Sequence, residues 1–401
     1  MLLETLFLFY FNQVGLPHMI NAMLYFGSSM AFGIVLIAMF YDKKTALKHA
    51  ADTKMVKTLF IGAVSLGLLS LCLYKTNLVI NAMNPAESSD VITTVEIASQ
   101  RLLDKVPVYK THIYATDHEL PLTYLPMHWL PYTISSYFHF DARWITFSIW
   151  LLAVAVLTIR NYRYEQLTPL LCMGLLSYIL YRNAHMIGDT IELMVAGYYM
   201  LLITCLNRKD ALLQGIMIGI CLLSRFSLLL WLPLYAIILL ASRNRKELSV
   251  SGITASIFVV LVYVIPFLST NWGSFMEGYH YYSNAALGEW QKGEVPFHLH
   301  RGTGFAYYYY YFLDIPLADR LKWLQRSHLA ATFVIVSGLA YWYLKYKDHI
   351  HYKIFVLGSF KLYLTVFLVF IQVPYEYLMV VGNFVSIAIF TEQARYRVLH
   401  D

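Results

Sequence analysis

Residues 58–80 read TLFIGAVSLGLLSLCLYKTNLVI and carry a single charged side chain, Lys75. An apolar run of about 20 residues is long enough to cross the hydrocarbon core of a bilayer as an α-helix. The whole chain has this character, because 59% of its 401 residues are hydrophobic and only 13% are charged. Soluble domains carry about 25% charged residues. The sequence therefore predicts an all-α polytopic membrane protein and disfavours a β-barrel, whose strands would alternate in short segments.

Similar apolar runs recur along the chain and predict about eleven transmembrane helices. We place them at about 17–41, 58–80, 142–160, 167–182, 190–206, 211–224, 226–241, 250–268, 329–344, 354–371 and 374–391. The start, MLLETLFLFYF, lacks a basic region and a small-residue cleavage site, so we expect no cleavable signal peptide. No internal repeat or separate soluble domain is visible, which predicts one integral membrane domain over residues 1–401.

The four cysteines all lie within apolar segments and lack metal-ligand spacing, so we expect buried, apolar side chains. They are Cys72, Cys172, Cys205 and Cys221.

Basic residues cluster in the short loops between these runs. Examples are Arg160 and Arg163, Arg208 and Lys209, and Lys345 and Lys347. Placing these loops in the cytoplasm gives a consistent alternation of helices. The net charge of +6 then reflects membrane topology and indicates no nucleic-acid partner.

Two long loops, 81–141 and 269–328, then lie on the non-cytoplasmic face. Within the first loop, residues 93–104 and 122–140 are typical of amphipathic helices at the membrane interface. Trp129, Tyr132 and Tyr137 would suit the depth of the lipid headgroups. The second loop is rich in aromatic and histidine side chains.

The first loop includes residues 84–131, NPAESSDVITTVEIASQRLLDKVPVYKTHIYATDHELPLTYLPMHWLP. Asp90 follows an apolar run by about ten residues, so its carboxylate can lie at the membrane surface and act as a general base on an acceptor hydroxyl. The alternative is a helix cap, because Ser88, Ser89 and Asp90 precede a periodic run. The prolines around Tyr124 predict either a loop-to-helix entry or a shaped rim that packs against a lipid or sugar.

Ionisable residues also occur at the outer ends of two later spans. Asp189 and Glu192 are three residues apart and share one helix face. They could cap a helix, bind a metal or bind sugar hydroxyls, and we favour the lining of a polar cavity. Arg225, in the run LLSRFSLLLWLP, needs an anionic partner. That partner is either a phosphate or a carboxylate, Asp189 or Glu192.

In the second loop, the string HLHR contains His298, His300 and Arg301. It could hold a phosphate or assist acid–base chemistry, or it could be only a polar surface. The sequence has no Walker loop, GxSxG elbow, HExxH or dinucleotide fingerprint. Their absence disfavours ATP-driven transport and the common hydrolase classes.

Several strings occur in the order found in a known family. They are Ser89–Asp90–Val91, Val106–Pro107–Val108–Tyr109, Leu122–Thr123–Tyr124–Leu125–Pro126, Gly188–Asp189–Thr190–Ile191 and Ser224–Arg225–Phe226. Together they resemble the GT-C superfamily of polytopic glycosyltransferases, and in particular glycosyltransferase family 87. The resemblance covers about residues 58–241. The chain departs from the family pattern at Leu125, where a proline is usual, at Asp189, where a glutamine is usual, and at Arg225, where a lysine is usual.

The resemblance implies a GT-C-like helical bundle and an activity on the non-cytoplasmic face. A hexose, mannose-like, would pass from a polyprenyl-phosphate donor to a lipid or glycan acceptor, without a cofactor and without a metal. Asp90 would be the general base, and Arg225 and Arg301 would bind the donor phosphate. The cavity for the sugar or acceptor would be lined by Tyr124, Asp189, Glu192, His298 and His300.

The implied partners are the donor, the acceptor and the surrounding membrane lipids, and the expected location is a bacterial inner membrane. Two other classes of function stay open. One is a transporter of lipid-linked oligosaccharides or small solutes, although the inverted repeats typical of transporters are not visible. The other is a non-catalytic partner in envelope assembly, in which Asp90 would only cap a helix.

Overall fold

The computed structural model of the protein describes residues 1–9, 18–39, 55–109, 112–115, 118–163, 165–293, 296, 299 and 303–399. The α-helices, in chain order, are α1 Leu2–Phe9, α2 His18–Ala38, α3 Met55–Ala82, α4 Pro85–Ser88, α5 Asp90–Leu103, α6 Pro126–Trp129, α7 Thr133–Phe138, α8 Arg143–Asn161, α9 Thr168–Arg182, α10 His185–Gly188, α11 Glu192–Leu206, α12 Ala211–Leu222, α13 Leu232–Ala241, α14 Arg245–Val259, α15 Gly273–Trp290, α16 Ala306–Phe312, α17 Leu317–Tyr346, α18 Tyr352–Val369 and α19 Glu376–Leu399. Short 3₁₀ segments occur at Leu130–Tyr132, Phe226–Trp231 and Leu268–Thr270, and a π-helical turn at Val260–Val264 follows α14.

The apolar runs of the sequence are helical, as predicted, and the membrane character of the chain is supported by their length. Seven helices among the described residues are long and apolar enough to cross a membrane: Met19–Ala38, Lys57–Ala82, Arg143–Asn161, Arg245–Val264, Leu317–Tyr346, Tyr352–Val369 and Glu376–Ala394. The finer prediction of eleven spans is not confirmed. Helix α11, for example, has 15 residues, or about 22 Å, against a hydrocarbon core of about 30 Å.

One small β-hairpin interrupts the helical fold, which the prediction of an all-α protein did not include. Strands β1 (Ile113–Ala115) and β2 (His118–Leu120) pair in antiparallel register, with Ile113 opposite Leu120. Ile113 and Ala115 are buried while Tyr114 is exposed. This alternation follows from the two-residue period of a strand.

The first loop contains α5 where residues 93–104 predicted an amphipathic helix. Over 122–140, however, the expected single helix is replaced by α6, a 3₁₀ turn and α7. Pro131 lies within the 3₁₀ turn, and proline interrupts the hydrogen bonding of a continuous helix. Trp129 and Tyr132 are fully buried in protein, whereas Tyr137 is exposed, so only Tyr137 has the exposure expected of a headgroup contact.

The chain divides into two compact units, and the prediction of a single domain stays a prediction. Unit 1 comprises Met1–Thr45, Ser227–Val250 and His280–Ile389. Unit 2 comprises Ala46–Phe226, Ser251–Tyr279 and Phe390–Asp401.

Unit 2 is held together by close helix contacts at small residues. Helix α8 packs along α11, and a Cβ atom added at Gly197 would lie 3.0 Å from the Cα atom of Trp150. Helix α12 also lies close to α14, since a Cβ at Gly215 would lie 2.5 Å from the carbonyl oxygen of Ser251. Gly215 and Gly219 form the Gly-x-x-x-Gly spacing that brings membrane helices together.

Unit 1 packs α2 against α18 and buries charge in its interior. Glu4 of α1 is completely buried, and its Oε1 lies 2.6 Å from the Nζ of Lys361 on α18. Ser386 of α19 donates a hydrogen bond of 3.0 Å to Oε2 of the same carboxylate. Ser29 and Thr365 share a buried hydrogen bond of 2.7 Å. A buried charge needs such partners, and here they join α1, α18 and α19.

The four cysteines are free and buried, as their apolar surroundings predicted.

Candidate functional site

The first long loop follows the membrane-length helix α3 and passes through the single turn α4 into α5. Ser89 caps α5, because its hydroxyl accepts a hydrogen bond of 3.1 Å from the backbone N–H of Ile92. The same hydroxyl donates a bond of 2.6 Å to the carbonyl oxygen of Asp189. The capping role considered for Ser88, Ser89 and Asp90 therefore belongs to Ser89, and this cap also fixes α5 to the turn before α11.

Asp90 is the first residue of α5 and its side chain is exposed. An exposed carboxylate at this position is accessible to a reactant that approaches from the solvent side of unit 2. A negative charge in the first turn is also favoured by the helix dipole. The geometry leaves the predicted role of Asp90 as a general base available, and it stays a prediction.

Asp189 holds neighbouring segments together. Its carboxylate accepts a hydrogen bond of 2.8 Å from the Ser88 hydroxyl, and its Oδ2 lies 2.7 Å from Nδ1 of His185. Both carboxylate oxygens are thus used within the protein. The predicted role of Asp189 in lining a sugar cavity is not tested by these contacts, which also show a structural role.

Arg225 forms an ion pair with Glu192, the first residue of α11. Glu192 is one of the two carboxylates that the sequence offered as a partner, and phosphate binding by Arg225 stays a prediction. The exposed fractions of the two side chains differ, at 29% for Arg225 and 6% for Glu192. The guanidinium is therefore partly accessible, while the carboxylate is buried. The second oxygen of Glu192, Oε2, is buried without a hydrogen-bond partner.

His128 lies close enough to Arg225 to feel its charge, and the sequence did not single out this histidine. The side chain is 7% exposed, and neither ring nitrogen has a hydrogen-bond partner. Burial, followed by the positive charge of Arg225, holds the pKa of His128 well below its usual range. The imidazole is therefore neutral. The ring of Tyr124 packs edge-on against it, with 5.5 Å between ring centroids.

The segment that carries Tyr124 and His128 is held by hydrogen bonds between its backbone and other parts of unit 2. The Tyr109 hydroxyl donates a bond of 2.8 Å to the carbonyl oxygen of Tyr124, and the N–H of Met127 donates one of 3.0 Å to the carbonyl oxygen of Leu223. Ser99 of α5 donates a bond of 2.8 Å to the carbonyl oxygen of Trp129. These anchors place His128 and the residues that precede Arg225 next to each other.

A second charged group lies around α5 and the start of α8. Burial raises the pKa of Glu96, and the neighbouring Asp141 raises it further, against the opposing effect of Arg143. Arg143 is 2% exposed and binds Asp141 through two nitrogens, at 2.9 and 2.6 Å. It also donates to the carbonyl oxygens of Met83 and Ile80 at the end of α3, at 3.0 and 2.8 Å.

The sequence contains a weak signal for these missed residues. The string DAR, Asp141 to Arg143, stands directly before an apolar run, where a charged pair at a helix end is expected. For His128, the string PMHWLP lies inside the stretch already singled out, but a histidine among apolar neighbours is commonly part of the core.

Three predicted site residues of the second loop have no described structure. His298, His300 and Arg301 lie outside the residues that the structure describes. Over the part of the chain that is described, no group of three or more His, Cys, Asp or Glu side chains is placed to hold a metal ion. The expectation that no metal or cofactor takes part stays a prediction.

Unit 1 has an apolar groove of about 360 Å³. It is lined by Met23, Phe305, Tyr308, Tyr309, Phe312, Leu313 and Phe370. Its size and lining suit a segment of a hydrocarbon chain.

In unit 2 the arrangement combines a partly accessible cation, a neutral imidazole and a buried carboxylate. Guanidinium and imidazole N–H groups bind phosphate oxygens, and a carboxylate accepts hydrogen bonds from hydroxyl groups. Comparison with models of protein families, with curated proteins and with solved structures gives no match to this chain.

Proposed function

We propose that this protein is a membrane glycosyltransferase. It transfers a hexose, mannose-like, from a polyprenyl-phosphate donor to a lipid or glycan acceptor on the non-cytoplasmic face of a membrane, for which a bacterial inner membrane is our proposal. The observation that carries the proposal is the accessible Arg225, paired with Glu192 and close to neutral His128, in a chain of membrane-length helices. A partly accessible cation in a membrane protein is suited to a lipid-linked phosphate.

The proposed reaction is a single displacement. The acceptor hydroxyl loses its proton to the Asp90 carboxylate while its oxygen attacks the anomeric carbon of the donor hexose. The bond from that carbon to the phosphate oxygen breaks, and polyprenyl phosphate leaves with the electron pair, so the anomeric configuration inverts. Arg225, and Arg301 of the second loop, stabilise the charge that develops on the leaving oxygen. Tyr124, Asp189, Glu192, His298 and His300 are assigned to the sugar and acceptor cavity.

Two features of the structure support individual parts of this proposal. The carboxylate of Asp90 is exposed at the start of α5, where it can meet an acceptor. The apolar groove of unit 1 offers a surface for a hydrocarbon chain, which a lipid donor or acceptor has.

The test is a transfer assay with purified protein in lipid. Labelled polyprenyl-phosphate hexoses and a membrane-lipid acceptor extract are supplied, with and without EDTA, to the wild type and to Asp90→Asn. We expect transfer that resists EDTA and that falls by about 100-fold or more in the variant, because general-base catalysis contributes about 10²- to 10⁴-fold.

The matched control is Glu87→Gln, which removes an exposed carboxylate from the same loop, where Glu87 accepts a hydrogen bond only from Asn84 among the bonds described. This variant should keep full activity. Near-full activity of Asp90→Asn would exclude Asp90 as the base. No transfer from any donor, under conditions in which a family member is active, would favour the transporter or the assembly partner instead.

A further inference from the structure

Besides its apolar groove, unit 1 has a charged cavity of about 290 Å³ at the start of α17. The cavity is lined by Ile315, Pro316, Asp319, Lys322, Trp323 and Arg326. The last three of these follow Asp319 by three, four and seven residues, so all four lie on one face of the helix. The side chains of Lys322, Trp323 and Arg326 are exposed. The cavity is therefore open to a ligand that approaches this face of a membrane-length helix.

Among the described residues, Arg326 has no anionic partner. Nζ of Lys322 lies 3.1 Å from Oδ1 of Asp319, so these two charges neutralise each other. The guanidinium of Arg326 instead lies 5.6 Å from the centre of the Trp323 ring. An aromatic ring attracts a cation but offers it no acceptor oxygen, so the N–H groups of Arg326 can still bind an anion. Two cations and one carboxylate give the cavity one net positive charge.

The charges of α17 place this cavity at the depth of lipid headgroups. No Asp, Glu, Lys or Arg lies between Arg326 and Lys345. The helix rises by about 29 Å between these two residues, close to the thickness of about 30 Å of the hydrocarbon core. Lys345 also lies over an aromatic ring, that of Tyr341, at 5.9 Å from its centre. Cations and aromatic rings at both ends of an apolar stretch are typical of the two membrane interfaces.

The face that carries the cavity continues as an exposed apolar stripe along α17. Leu329, Phe333, Val334 and Tyr341 follow Arg326 at helical spacing and are 60–72% exposed. Leu321, Leu324 and Leu339, on the opposite side of the helix, are buried. An exposed apolar stripe on a helix of membrane length is suited to contact with hydrocarbon chains. A ligand that fills the cavity and follows this stripe therefore has a polar head and a hydrocarbon tail.

The cavity also restricts the chemistry of that head. Arginine and lysine bind phosphate oxygens well, and one net positive charge matches a headgroup with one net negative charge. Because Lys322 already neutralises Asp319, the ammonium group of a zwitterionic headgroup would find no unpaired carboxylate. A sugar stacked on Trp323 is disfavoured, since the guanidinium of Arg326 lies over that ring. An anionic phospholipid meets each of these conditions.

We propose that the cavity at the start of α17 is a binding site for one anionic phospholipid of the membrane, such as phosphatidylglycerol. Arg326 and Lys322 bind the phosphate, and Asp319 keeps Lys322 in place. One acyl chain lies along Leu329 and Phe333. The site uses residues of unit 1 alone and none that is assigned to sugar transfer, so it stands whether or not the protein is a glycosyltransferase.

The test measures lipid binding to the full chain by native mass spectrometry in detergent. The probes are phosphatidylglycerol, phosphatidylethanolamine, phosphatidylcholine and diacylglycerol with the same acyl chains. We expect the first phosphatidylglycerol to bind at least about fivefold more tightly than either zwitterionic lipid, which is about the effect of one basic residue on an anionic lipid. Diacylglycerol, which lacks the phosphate, should bind the most weakly of the four.

The variant Arg326→Gln should weaken the binding of phosphatidylglycerol about fivefold and remove its preference over phosphatidylcholine. Arg326→Lys keeps the charge and should retain most of that preference. The matched control is Lys347→Gln, which removes the same charge from an exposed position just after the other end of α17 and should bind as the wild type. The unfolding temperature of each variant shows that it is folded, and Arg326→Lys carries the test if Arg326→Gln is not.

Three results would overturn the proposal. Equal affinity of the wild type for the three phospholipids would mean that lipids only surround the helix without selection. Equal losses in Arg326→Gln and Lys347→Gln would mean that the total positive charge attracts the lipid, without a site. Displacement of phosphatidylglycerol by polyprenyl phosphate at a lower concentration than by phosphatidylglycerol itself would assign the cavity to a lipid-phosphate substrate instead.

Discussion

At the scale of a single residue, Arg143 is a charged side chain that stabilises the fold. Its guanidinium satisfies the carbonyl oxygens of Met83 and Ile80, at the open end of α3, and is neutralised by Asp141. The last carbonyl groups of a helix have no partners within the helix, so a cation placed there stabilises them. The buried guanidinium therefore joins the end of α3 to the start of α8.

We predict that Arg143→Ala lowers the free energy of unfolding by about 3 kcal/mol, because it leaves two carbonyl groups without this donor and removes the charge that neutralises Asp141, whose carboxylate keeps only the bond from the backbone N–H of residue 143. Thermal unfolding in detergent provides the measurement. The control is Arg163→Ala, which removes an exposed arginine and should shift stability by no more than about 0.5 kcal/mol. Equal stability of the two variants would show that the Arg143 contacts are not formed.

His128 predicts a dependence of stability on pH. Its pKa is well below the usual value in the folded protein, and in the unfolded chain it returns to about 6.5. The unfolded chain therefore takes up the proton first as pH falls. The stabilisation is present above pH 6.5 and is lost progressively below it. The charged group that acts on the ring is Arg225, which favours the neutral imidazole.

The change that tests this dependence is His128→Gln, which should reduce the loss of unfolding temperature between about pH 7.5 and pH 5.5. His139→Asn removes an exposed histidine and should leave the loss unchanged. The same acid sensitivity in wild type and His128→Gln would mean that other groups cause it.

Some contacts of single residues in the candidate site could be predicted from the sequence. The prediction from the sequence limited the partner of Arg225 to a phosphate, Asp189 or Glu192, because a cation among apolar residues needs an anion, and the structure shows Glu192. It missed His128, because the burial of this side chain depends on contacts between distant parts of the chain. Hydrogen bonds to Leu223 and from α5 hold the segment 127–129 in place. The hydrophobic pattern of a sequence predicts local helices but does not predict contacts between distant segments.

At the scale of elements, the close approach of α12 and α14 gives a prediction about glycine. A methyl group at Gly215 would lie 2.5 Å from the carbonyl oxygen of Ser251, so one helix must move. We predict that Gly215→Ala destabilises the protein by about 1–3 kcal/mol, the usual cost of overpacking. The measurement is the unfolding temperature in detergent.

The matched control is Gly252→Ala, on the facing helix, where an added Cβ meets no atom within 4 Å. Because alanine favours a helix over glycine by about 1 kcal/mol, this variant should be as stable as the wild type or more stable. If Gly215→Ala gives the same result as Gly252→Ala, the two helices do not pack as closely as described.

The helices could be predicted from the sequence where a long apolar run determines their position. Helices α2, α3 and α8 lie where their apolar runs indicated, since each backbone hydrogen bond in lipid must be satisfied within the helix. The hairpin β1–β2 was not predictable, because its short strands are ordered by buried contacts of Ile113 and Ala115 and have little local signal. The breaks between α6 and α7 follow from Pro131, whose position was visible but whose effect was underestimated.

At the scale of the whole molecule, the distribution of basic residues predicts an orientation in the membrane. Single cysteines introduced as Glu87→Cys and Lys209→Cys place thiols at exposed positions on the proposed outer and inner faces. We expect an impermeant maleimide to label the first in intact cells and the second only after the membrane is opened.

The wild type is its own control in this experiment, since its four cysteines are buried and should give little background. Labelling of Lys209→Cys in intact cells would reverse the orientation and would place Asp90 in the cytoplasm. The charge pattern allowed this prediction, whereas the division into two units was not visible, because unit 1 is assembled from three distant stretches of the chain.

The buried pair of Glu4 and Lys361 has a consequence for synthesis. Ser386, which also binds Glu4, follows it by 382 residues. At about 5–20 residues per second, the ribosome needs roughly 20–80 seconds to reach Ser386 after it has made Glu4. During this interval Glu4 has to stay hydrated at the bilayer surface or carry a proton, because the bare charge is costly in lipid. Helix α1 can therefore take its place against α18 and α19 only after those two later helices have been made.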